Sequence, residues 1–396
     1  MRVGIDATSW VNRRGYGRFA RNVVSCLVAL DVDTEYVLYI DNWSAPRADL
    51  PSGASTRQVV LRQPPSSGAA AGSHRSMSDV LRLTRAVWRD KLDGFVFPST
   101  YTYFPTIGVR TVVGFHDTTA NDFPGLTFAD RKARTLFSLK EALAVRQAHR
   151  LFTVSLAARA AVARRLAMEP ERIAIIPEAP DPVFHPRERG EVVSRLQTMG
   201  LGPDDGFLLY VGGISPHKNI ETLLDAYALL RQTHNDAPRL LVAGDLDSDP
   251  YLSSATSLRS RIDALGLTPH VLLPGFVTDD MLACLYNAAT AVVLPSLGEG
   301  FGLPAVEAAA CGAPVILSDL AAHRETLGDA GLYFAAMDSA ELARQLALVL
   351  DDAEMRRRMS TRAREAVKHL SWTSAAERLR DLVYDSFAVN LRGTYV

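Results

Sequence analysis

Short runs of aliphatic and β-branched residues alternate with longer helix-forming stretches along almost the whole chain. The runs are continuously apolar, which is typical of strands covered on both faces of a sheet. Such strands, separated by helices, predict doubly wound parallel sheets. In the first half, strands are predicted at residues 3–5, 37–40, 59–61, 95–97, 111–115, 151–154 and 173–176. In the second half, they are predicted at residues 207–211, 240–243, 271–273, 291–294, 315–317 and 332–334.

Helices are predicted between the strands of the first half at residues 16–30, 79–89, 128–148 and 156–167. The tail from about residue 340 to residue 391 has a wholly helical pattern, and residues 63–73 are predicted to form a mobile loop. A proline-rich segment at 177–186 cannot continue a helix or a central strand.

The proline-rich segment is therefore predicted to be an interdomain linker. The expected domains are residues 1–185 and 186–375, with a C-terminal helix at 376–396 that packs back on the first domain. Ligands of such sheets bind at the carboxyl ends of strands, so a cleft between the two domains is the expected place for a site.

The composition restricts the class of protein. The 396 residues carry a net charge of −1, which argues against a general attraction to nucleic acid. The three cysteines are dispersed without metal-ligand spacing and are expected to be small core residues in a reducing compartment. The N-terminus has no signal-peptide pattern, and no apolar run is long enough to cross a bilayer. A cytoplasmic protein is expected.

The run LPSLGEGFGLPAVE at residues 294–307 is the strongest chemical motif. A strand is predicted to end at Leu294, and Pro304 suits the first turn of a helix that should end at Gly312. The amides of Gly302, Leu303 and Ala305 would then point out of the helix N-terminus, which is an arrangement that binds anions such as a diphosphate.

Two carboxylates, Glu299 and Glu307, flank this predicted anion site and could accept hydrogen bonds from sugar and ribose hydroxyls. The residues alone leave a second interpretation open. The segment could be an ordinary strand–helix connection in which Glu307 merely favours the positive end of the helix.

Two further glycine turns follow predicted strands. The run GGISPHKN at 212–219 contains Lys218, which could stabilise a diphosphate leaving group, although an isolated lysine is more often simply exposed. The run NRRGYGR at 12–18 contains Gly15 and Gly17, and such turns can cradle phosphates, although solvated arginines are the ordinary interpretation of its basic residues.

Two more turns contain candidate residues. His116 and Asp117 leave the carboxyl end of a predicted strand, where Asp117 could orient the imidazole or cap a turn. Phe276 and Val277 follow another predicted strand in the second half.

The double-glutamate segment, in the setting PSxxEGFGLPxxEA, resembles the signature of glycosyltransferase family four, whose members are retaining enzymes of the GT-B fold. The resemblance also covers residues 210–219, residues 183–186 and the pair at 371–372, and so spans nearly the whole chain. It implies two tandem Rossmann-like domains that face an interdomain cleft, with the acceptor side in the first domain and the donor side in the second.

The resemblance also implies roles for individual residues. Glu307 would bind the nucleotide ribose, and Glu299 would hold the donor sugar together with the main chain at Phe301 and Gly302. Lys218 would bind the donor phosphates, and His116 would face the donor sugar. The remaining residues implied in donor binding are Gly15 and Gly17 at the diphosphate, Phe276 and Val277 at the nucleobase, and Gly213, Gly300 and Leu303.

One position departs from the family pattern. Many members have an arginine a few residues before the lysine, whereas Gly213 or Ile214 stands there in this chain. The diphosphate clamp is therefore expected to depend on Lys218, with His217 or another cation compensating.

The expected reaction transfers a hexosyl-type group from a nucleoside diphosphate sugar to an acceptor hydroxyl with retention, without a metal ion, another cofactor or a protein general base. The alternatives are a nucleotide-sugar isomerase or hydrolase of the same architecture and a non-catalytic nucleotide-sugar sensor. A dinucleotide oxidoreductase is disfavoured because the chain lacks G-x-G-x-x-G with a downstream ribose acid. Basic amphipathic stretches at 75–91 and 131–146 could rest on the inner face of the membrane or form solvated helix faces.

Overall fold

The computed structural model describes residues 1–64, 75–202, 205–246 and 255–388. The chain divides into two compact units. Unit 1 comprises Met1–Glu178 and Ser371–Val396, and unit 2 comprises Ala179–Leu370. Most of the predicted loop at 63–73 lies outside the described residues.

Unit 1 contains a parallel sheet of seven strands in the order β3-β2-β1-β4-β5-β6-β7. The strands are β1 (Arg2–Asp6), β2 (Glu35–Asp41), β3 (Ser55–Val59), β4 (Gly94–Phe97), β5 (Arg110–Gly114), β6 (Ala148–Thr153) and β7 (Ile173–Ile175). The strand order reverses between β1 and β4, which makes this the switch point of the sheet.

The strand predicted at 59–61 is wrong in position, because β3 ends at Val59. This strand lies at the edge of the sheet and its first four residues are exposed. A polar edge strand has no apolar run by which the sequence could reveal it.

Some helices of unit 1 begin at a side-chain cap, which fixes their first residue. Asp130 accepts a hydrogen bond from the Ala133 amide at 2.7 Å, so the helix predicted from residue 128 begins after Asp130. The helices before the end of β7 are α1 (Gly15–Leu30), α2 (Met77–Arg89), α3 (Thr119–Asp122), α4 (Pro124–Thr127), α5 (Arg131–Gln147) and α6 (Leu156–Leu166). Side chains of α2, β4 and β5 share one apolar core with those of α5 and α6.

Unit 2 contains a second parallel sheet, of six strands in the order β10-β9-β8-β11-β12-β13. The strands are β8 (Phe207–Val211), β9 (Arg239–Ala243), β10 (Val271–Gly275), β11 (Ala291–Leu294), β12 (Val315–Ser318) and β13 (Leu332–Phe334). Leu208 of β8 is in register with Ala291 of β11, and the strand order reverses between these two neighbours. The predicted α/β fold with two doubly wound parallel sheets is therefore confirmed.

Eight helices are seen in the described part of unit 2. They are α7 (Arg189–Gln197), α8 (Ile220–Thr233), α9 (Ala255–Ala264), α10 (Asp279–Ala288), α11 (Leu303–Cys311), α12 (Ala321–Leu327), α13 (Ser339–Asp351) and α14 (Ala353–Val367). Of these helices, α8, α9, α13 and α14 contribute side chains to a separate apolar core built on β8, β9 and β11. Residues 177–188 form neither helix nor strand.

The last helix, α15 (Trp372–Phe387), belongs to unit 1 and packs against α1. Its Phe387 ring fills the space that a side chain at position 94 would need, since a Cβ on Gly94 would come within 2.1 Å of that ring. Arg110 donates to the Ser386 carbonyl at 3.2 Å.

The predicted helical tail is thus three helices that are interrupted at Asp352 and at residues 368–371, and residues 389–391 lie outside the described part of the chain. None of the described helices combines the length and the apolar character needed to cross a membrane.

Candidate functional site

The two strongest sequence motifs meet at the switch point of unit 2. Residues 212–219 follow β8, residues 295–302 follow β11, and these strands are neighbours. The two turns are bonded to each other, because the Leu297 amide donates to the His217 carbonyl at 2.9 Å and the Asn219 side chain donates to the Pro295 carbonyl at 3.0 Å. Two segments about eighty residues apart in the sequence therefore form one structural element.

An ion pair joins these turns. The Lys218 Nζ donates to Glu299 Oε1 at 2.5 Å, and the Ser296 hydroxyl donates to the same oxygen at 2.7 Å. Burial by itself would raise the pKa of Glu299, but the Lys218 ammonium, His323 and the Ser296 hydroxyl lower this pKa to about 2. The side chains remain 21% and 17% exposed, so a charged pair is held at the surface of the strand ends.

Asn219 fixes the position of the lysine. It adopts the left-handed conformation (φ 56°), which asparagine tolerates better than most residues, between the short 3-10 turn Pro216–Lys218 and α8. Its side-chain nitrogen also donates to the Ala336 carbonyl at 2.5 Å, and its side-chain oxygen accepts from Thr222 at 2.8 Å. Asn219 is thus a positioning residue that the sequence motif contained but did not distinguish.

The predicted helix after the glutamate turn is confirmed, with Gly312 in the left-handed conformation at its end. The expectation that the Ala305 amide points outward is wrong, because this amide donates to the Gly302 carbonyl at 2.9 Å. Pro304 has no amide proton, so Gly302 and Leu303 supply the backbone donors at the helix start. Glu307 lies on α11 and is only 2% exposed.

Gly300 and Phe301, which complete this turn, are both buried. Gly213, in the turn after β8, accepts a hydrogen bond from the Tyr210 hydroxyl at 2.8 Å through its carbonyl oxygen. Its neighbour Ile214, which with Gly213 stands in the region where many family members have an arginine, is fully buried in the core.

His323 is a fully buried residue of this site that no sequence pattern indicated. It lies on α12, and its Nδ1 is 2.8 Å from the Ser318 carbonyl. The opposite edge of its ring faces the start of α11, since a Cβ on Gly302 would lie 2.9 Å from His323 Cδ2 and 3.3 Å from Nε2. Only a tertiary contact brings His323 here, because β12 separates α12 from α11 in the chain.

Phe276 and Val277 follow β10 at its carboxyl end, after Gly275 with a φ of 74°. The Phe276 side chain is 47% exposed, which is unusual for a large aromatic ring. The structure thus leaves a face of the ring accessible at the carboxyl edge of the unit 2 sheet.

His116 lies in unit 1, directly after β5. Its Nε2 donates to the Pro98 carbonyl at 2.8 Å, and its Nδ1 is 3.5 Å from the Glu178 carboxylate. Burial would lower the pKa of His116, but the hydrogen bond and charge of Glu178 and the Pro98 carbonyl raise it above the usual value. Asp117 caps the turn by accepting from the Thr119 amide at 2.8 Å, so Glu178 is the carboxylate that faces the imidazole.

The two glycines of the N-terminal turn differ. Gly17 is buried against its own loop, because a Cβ there would lie 2.2 Å from the Asn12 carbonyl oxygen. Gly15 is exposed and begins α1, and a Cβ there would meet nothing within 4 Å. Close packing thus explains the glycine at 17, and open space surrounds the glycine at 15.

Two solved structures are similar in fold to this chain. A sucrose-phosphate synthase from Thermosynechococcus elongatus is similar with a TM-score of 0.77 at 19% identity, covering 98% of this chain and 99% of that one. HepE from Anabaena in complex with UDP-glucose is similar with a TM-score of 0.75 at 16% identity, covering 97% of this chain and 100% of that one. This architecture is the GT-B fold that the resemblance predicted.

Sequence comparison is more specific. Residues 197–366 match the family described as glycosyl transferases group 1, and this range contains the whole candidate site of unit 2. The O-antigen chain mannosyltransferase B of Escherichia coli is 31% identical over 296 residues, which cover 74% of this chain and 75% of the relative. A D-inositol 3-phosphate glycosyltransferase of Salinispora tropica is 31% identical over 231 residues, which cover 56% of this chain and 47% of the relative. The chain belongs to the glycosyl transferases group 1 family and is a glycosyltransferase.

Proposed function

We propose that the protein transfers a hexosyl-type sugar from a nucleoside diphosphate sugar to an acceptor hydroxyl with retention of the anomeric configuration. The donor binds in unit 2, at the switch point between β8 and β11. The observation that carries this proposal is the Lys218–Glu299 ion pair beside the first turn of α11.

The ion pair supplies a hydrogen-bond acceptor and a cation, which are the two kinds of group that a nucleoside diphosphate sugar needs. Glu299 Oε1 accepts from Lys218 and Ser296, whereas Glu299 Oε2 has no hydrogen-bond partner among the described residues. An ionised carboxylate oxygen with spare lone pairs suits the hydroxyls of a transferred sugar. The Lys218 ammonium has three N–H donors and uses one on Glu299, so the others can reach phosphate oxygens.

In the proposed reaction, the bond between the sugar and the diphosphate breaks and negative charge develops on the leaving diphosphate. Lys218 and the amides of Gly302 and Leu303 are fixed before the reaction, and such preorganised groups stabilise developing charge with little reorganisation. We propose that these groups replace a divalent metal and that the leaving phosphate, rather than a protein base, helps to deprotonate the acceptor. The described residues contain no cluster of three or more His, Cys, Asp or Glu that could hold a metal ion.

The other residue roles follow the family resemblance. We propose Glu307 for the ribose, the main chain at Phe276 and Val277 for the nucleobase, and the Gly300–Phe301 turn for the sugar. Gly15, Gly17, Gly213 and His116 stay predictions of donor contacts. The hexosyl class is supported by relatives named as mannosyltransferases and by a solved neighbour described in complex with UDP-glucose.

A thermal-shift panel tests the donor site. UDP, GDP and ADP and their hexose derivatives are added to the wild-type protein, to Lys218→Ala and to Lys368→Ala. Lys368 is an exposed lysine directly after α14 and serves as the matched control. A ligand that binds only the folded state raises the melting temperature, so one nucleotide should shift the wild type and the control but not Lys218→Ala. If no nucleotide shifts the wild type, the proposal is wrong.

Two alternatives make different predictions for turnover. A nucleotide-sugar isomerase or hydrolase would convert its substrate without any acceptor, whereas a transferase releases nucleoside diphosphate fast only when an acceptor is present. A non-catalytic sensor would bind the nucleotide sugar and release none. An assay of nucleoside diphosphate release with and without a panel of hydroxyl acceptors separates all three.

A further inference from the structure

The proposed donor site of unit 2 has too little positive charge for a diphosphate. The Lys218 ammonium is balanced by the Glu299 carboxylate at 2.5 Å. Many family members have an arginine a few residues before the lysine, and in this chain the buried Ile214 stands in that region. A nucleoside diphosphate brings several negative charges into this neutral site, and buried charge is costly unless it is paired.

His323 lies where a second cation would be useful. A carbonyl oxygen only accepts hydrogen bonds, so the contact with the Ser318 carbonyl places the Nδ1 proton on this side of the ring. The buried Nε2 has no hydrogen-bond partner among the described residues. This nitrogen lies on the ring edge that faces Gly302, where α11 begins.

The charged and titratable groups around His323 come from each neighbouring segment. Glu299 and Lys218 act on it from the two turns, and they are paired with each other. Asp319 follows β12 and is held by Arg324 at 2.7 Å, while the Tyr333 hydroxyl of β13 donates to the His323 carbonyl at 3.3 Å. The nearby cation Lys218 lowers the pKa of His323, and the carboxylates Glu299 and Asp319 raise it.

The surroundings of His323 favour its uncharged form. Burial lowers its pKa below the usual value, and the attraction of Glu299 and the Ser318 hydrogen bond offset this lowering only in part. An uncharged Nε2 presents a lone pair that would repel a phosphate oxygen, whereas a protonated Nε2 would donate a charge-assisted hydrogen bond to it.

We infer, on the basis of the proposed function, that His323 is the missing cation: a nucleoside diphosphate that binds at the first turn of α11 takes up one proton from solvent onto Nε2, which then donates to a phosphate oxygen. No covalent bond changes in this step. The proton supplies one positive charge that is present only while the anion is bound. The affinity for the nucleotide should therefore depend on pH between two values, the pKa of His323 in the complex and its lower pKa in the free protein. Between them, the affinity should increase by up to about tenfold for each unit by which the pH falls.

Isothermal titration calorimetry measures this proton uptake. UDP, GDP and ADP are each titrated into the full-length protein at one pH in HEPES and in Tris, whose ionisation enthalpies differ. The difference in observed heat gives the number of protons bound per ligand. The variant His323→Gln cannot take up the proton, and His369→Gln, an exposed histidine two residues after α14, is the matched control.

The wild type and His369→Gln should take up about one proton more than His323→Gln, and His323→Gln should bind about tenfold more weakly. If His323→Gln binds with the same proton uptake as the wild type, the inference is overturned while the proposed donor site stands. If no nucleotide binds to the wild type, both are overturned.

A second measurement does not depend on the variant being folded. In wild-type protein labelled with ¹⁵N-histidine, the His323 resonances should change from the neutral Nδ1–H form to the imidazolium form when the nucleotide is added. A signal that keeps the neutral form in the saturated complex would overturn the inference.

Discussion

His116 in unit 1 and His323 in unit 2 are both buried, yet their pKa values are shifted in opposite directions. The His116 ring has an acceptor at each nitrogen, the Pro98 carbonyl at 2.8 Å and the Glu178 carboxylate at 3.5 Å. The His323 ring has one acceptor, the Ser318 carbonyl at 2.8 Å, and faces a glycine at its other edge. Burial lowers the pKa of both, but Glu178 overcomes this effect for His116 and raises its pKa, whereas the pKa of His323 stays lowered.

Both rings are buried, so the opposite pKa shifts come from the partners at the ring nitrogens. In unit 1 the protein supplies an acceptor at both nitrogens of His116, which favours the charged imidazolium. In unit 2 no described residue bonds Nε2 of His323, so a ligand can supply that partner.

The largest effect should come from the ion pair beside His323. Lys218→Ala removes the cation of the ion pair at the proposed donor site, and we expect kcat to fall by about 10²–10³-fold, as when a single preorganised charge-stabilising donor is lost. Lys368→Ala should leave kcat unchanged. Steady-state kinetics of nucleoside diphosphate release provide the measurement, and equal turnover of the two variants would contradict the assigned role.

Removing each histidine should affect stability unequally. His116→Ala leaves the Glu178 carboxylate, which is 5% exposed, buried without its cation, and we expect a loss of about 3–5 kcal/mol in the free energy of unfolding. His323→Ala loses one hydrogen bond and should cost about 1–3 kcal/mol.

Urea denaturation measures both effects, and Glu178→Gln combined with His116→Ala should recover part of the larger loss. The contrast between the histidines would be wrong if the His323 variant were the less stable of the two.

The glycines of the N-terminal turn extend the comparison to backbone packing. Gly17→Ala places a Cβ 2.2 Å from the Asn12 carbonyl, and we expect a cost of about 1–3 kcal/mol because backbone must move. Gly15→Ala meets no atom within 4 Å and should not destabilise the protein. Thermal unfolding of the two variants measures this difference, and a Gly15→Ala loss as large as that of Gly17→Ala would show that packing does not explain the glycines.

The pH dependence of stability should have opposite signs for the two histidines. The raised pKa of His116 means that its contribution is complete below about pH 6.5, the value for an unfolded histidine, and is lost as the pH rises through the folded-state pKa. The lowered pKa of His323 means that its contribution is complete above about pH 6.5 and is lost as the pH falls toward the folded-state pKa.

The melting temperature of the wild type, His116→Gln and His323→Gln between pH 5 and pH 8 measures these slopes. Relative to the wild type, the melting temperature of the His116 variant should be lowered least at high pH. That of the His323 variant should be lowered least at low pH. Parallel curves for all three proteins would contradict the assigned protonation states.

Much of the fold could be predicted from local sequence. The strands Phe207–Val211, Ala291–Leu294 and Leu332–Phe334 have the predicted bounds, because a continuous apolar run identifies a strand buried on both faces. The edge strand β3 could not be located in this way, since its exposed face is polar. The α11 helix was recognisable from Pro304 and Gly312, whose backbone preferences act locally.

The candidate site was predictable only in part. Glu299 and Lys218 each belong to a local motif, but their contact depends on the adjacency of β8 and β11. Glu178 and His323 belong to no motif. Glu178 is identified only by its contact with the His116 ring, and His323 only by its position beside Gly302 at the start of α11.

The sequence by itself determined the kinds of element, the glycine turns after the strands and the family to which the chain belongs, because these depend on side-chain periodicity, backbone preference and motif spacing. Tertiary structure alone decided which turns meet and in which direction the pKa of each buried histidine shifts. The physical reason is that a pKa depends on burial and on neighbouring charges, and parallel strand order brings these neighbours together from distant parts of the chain.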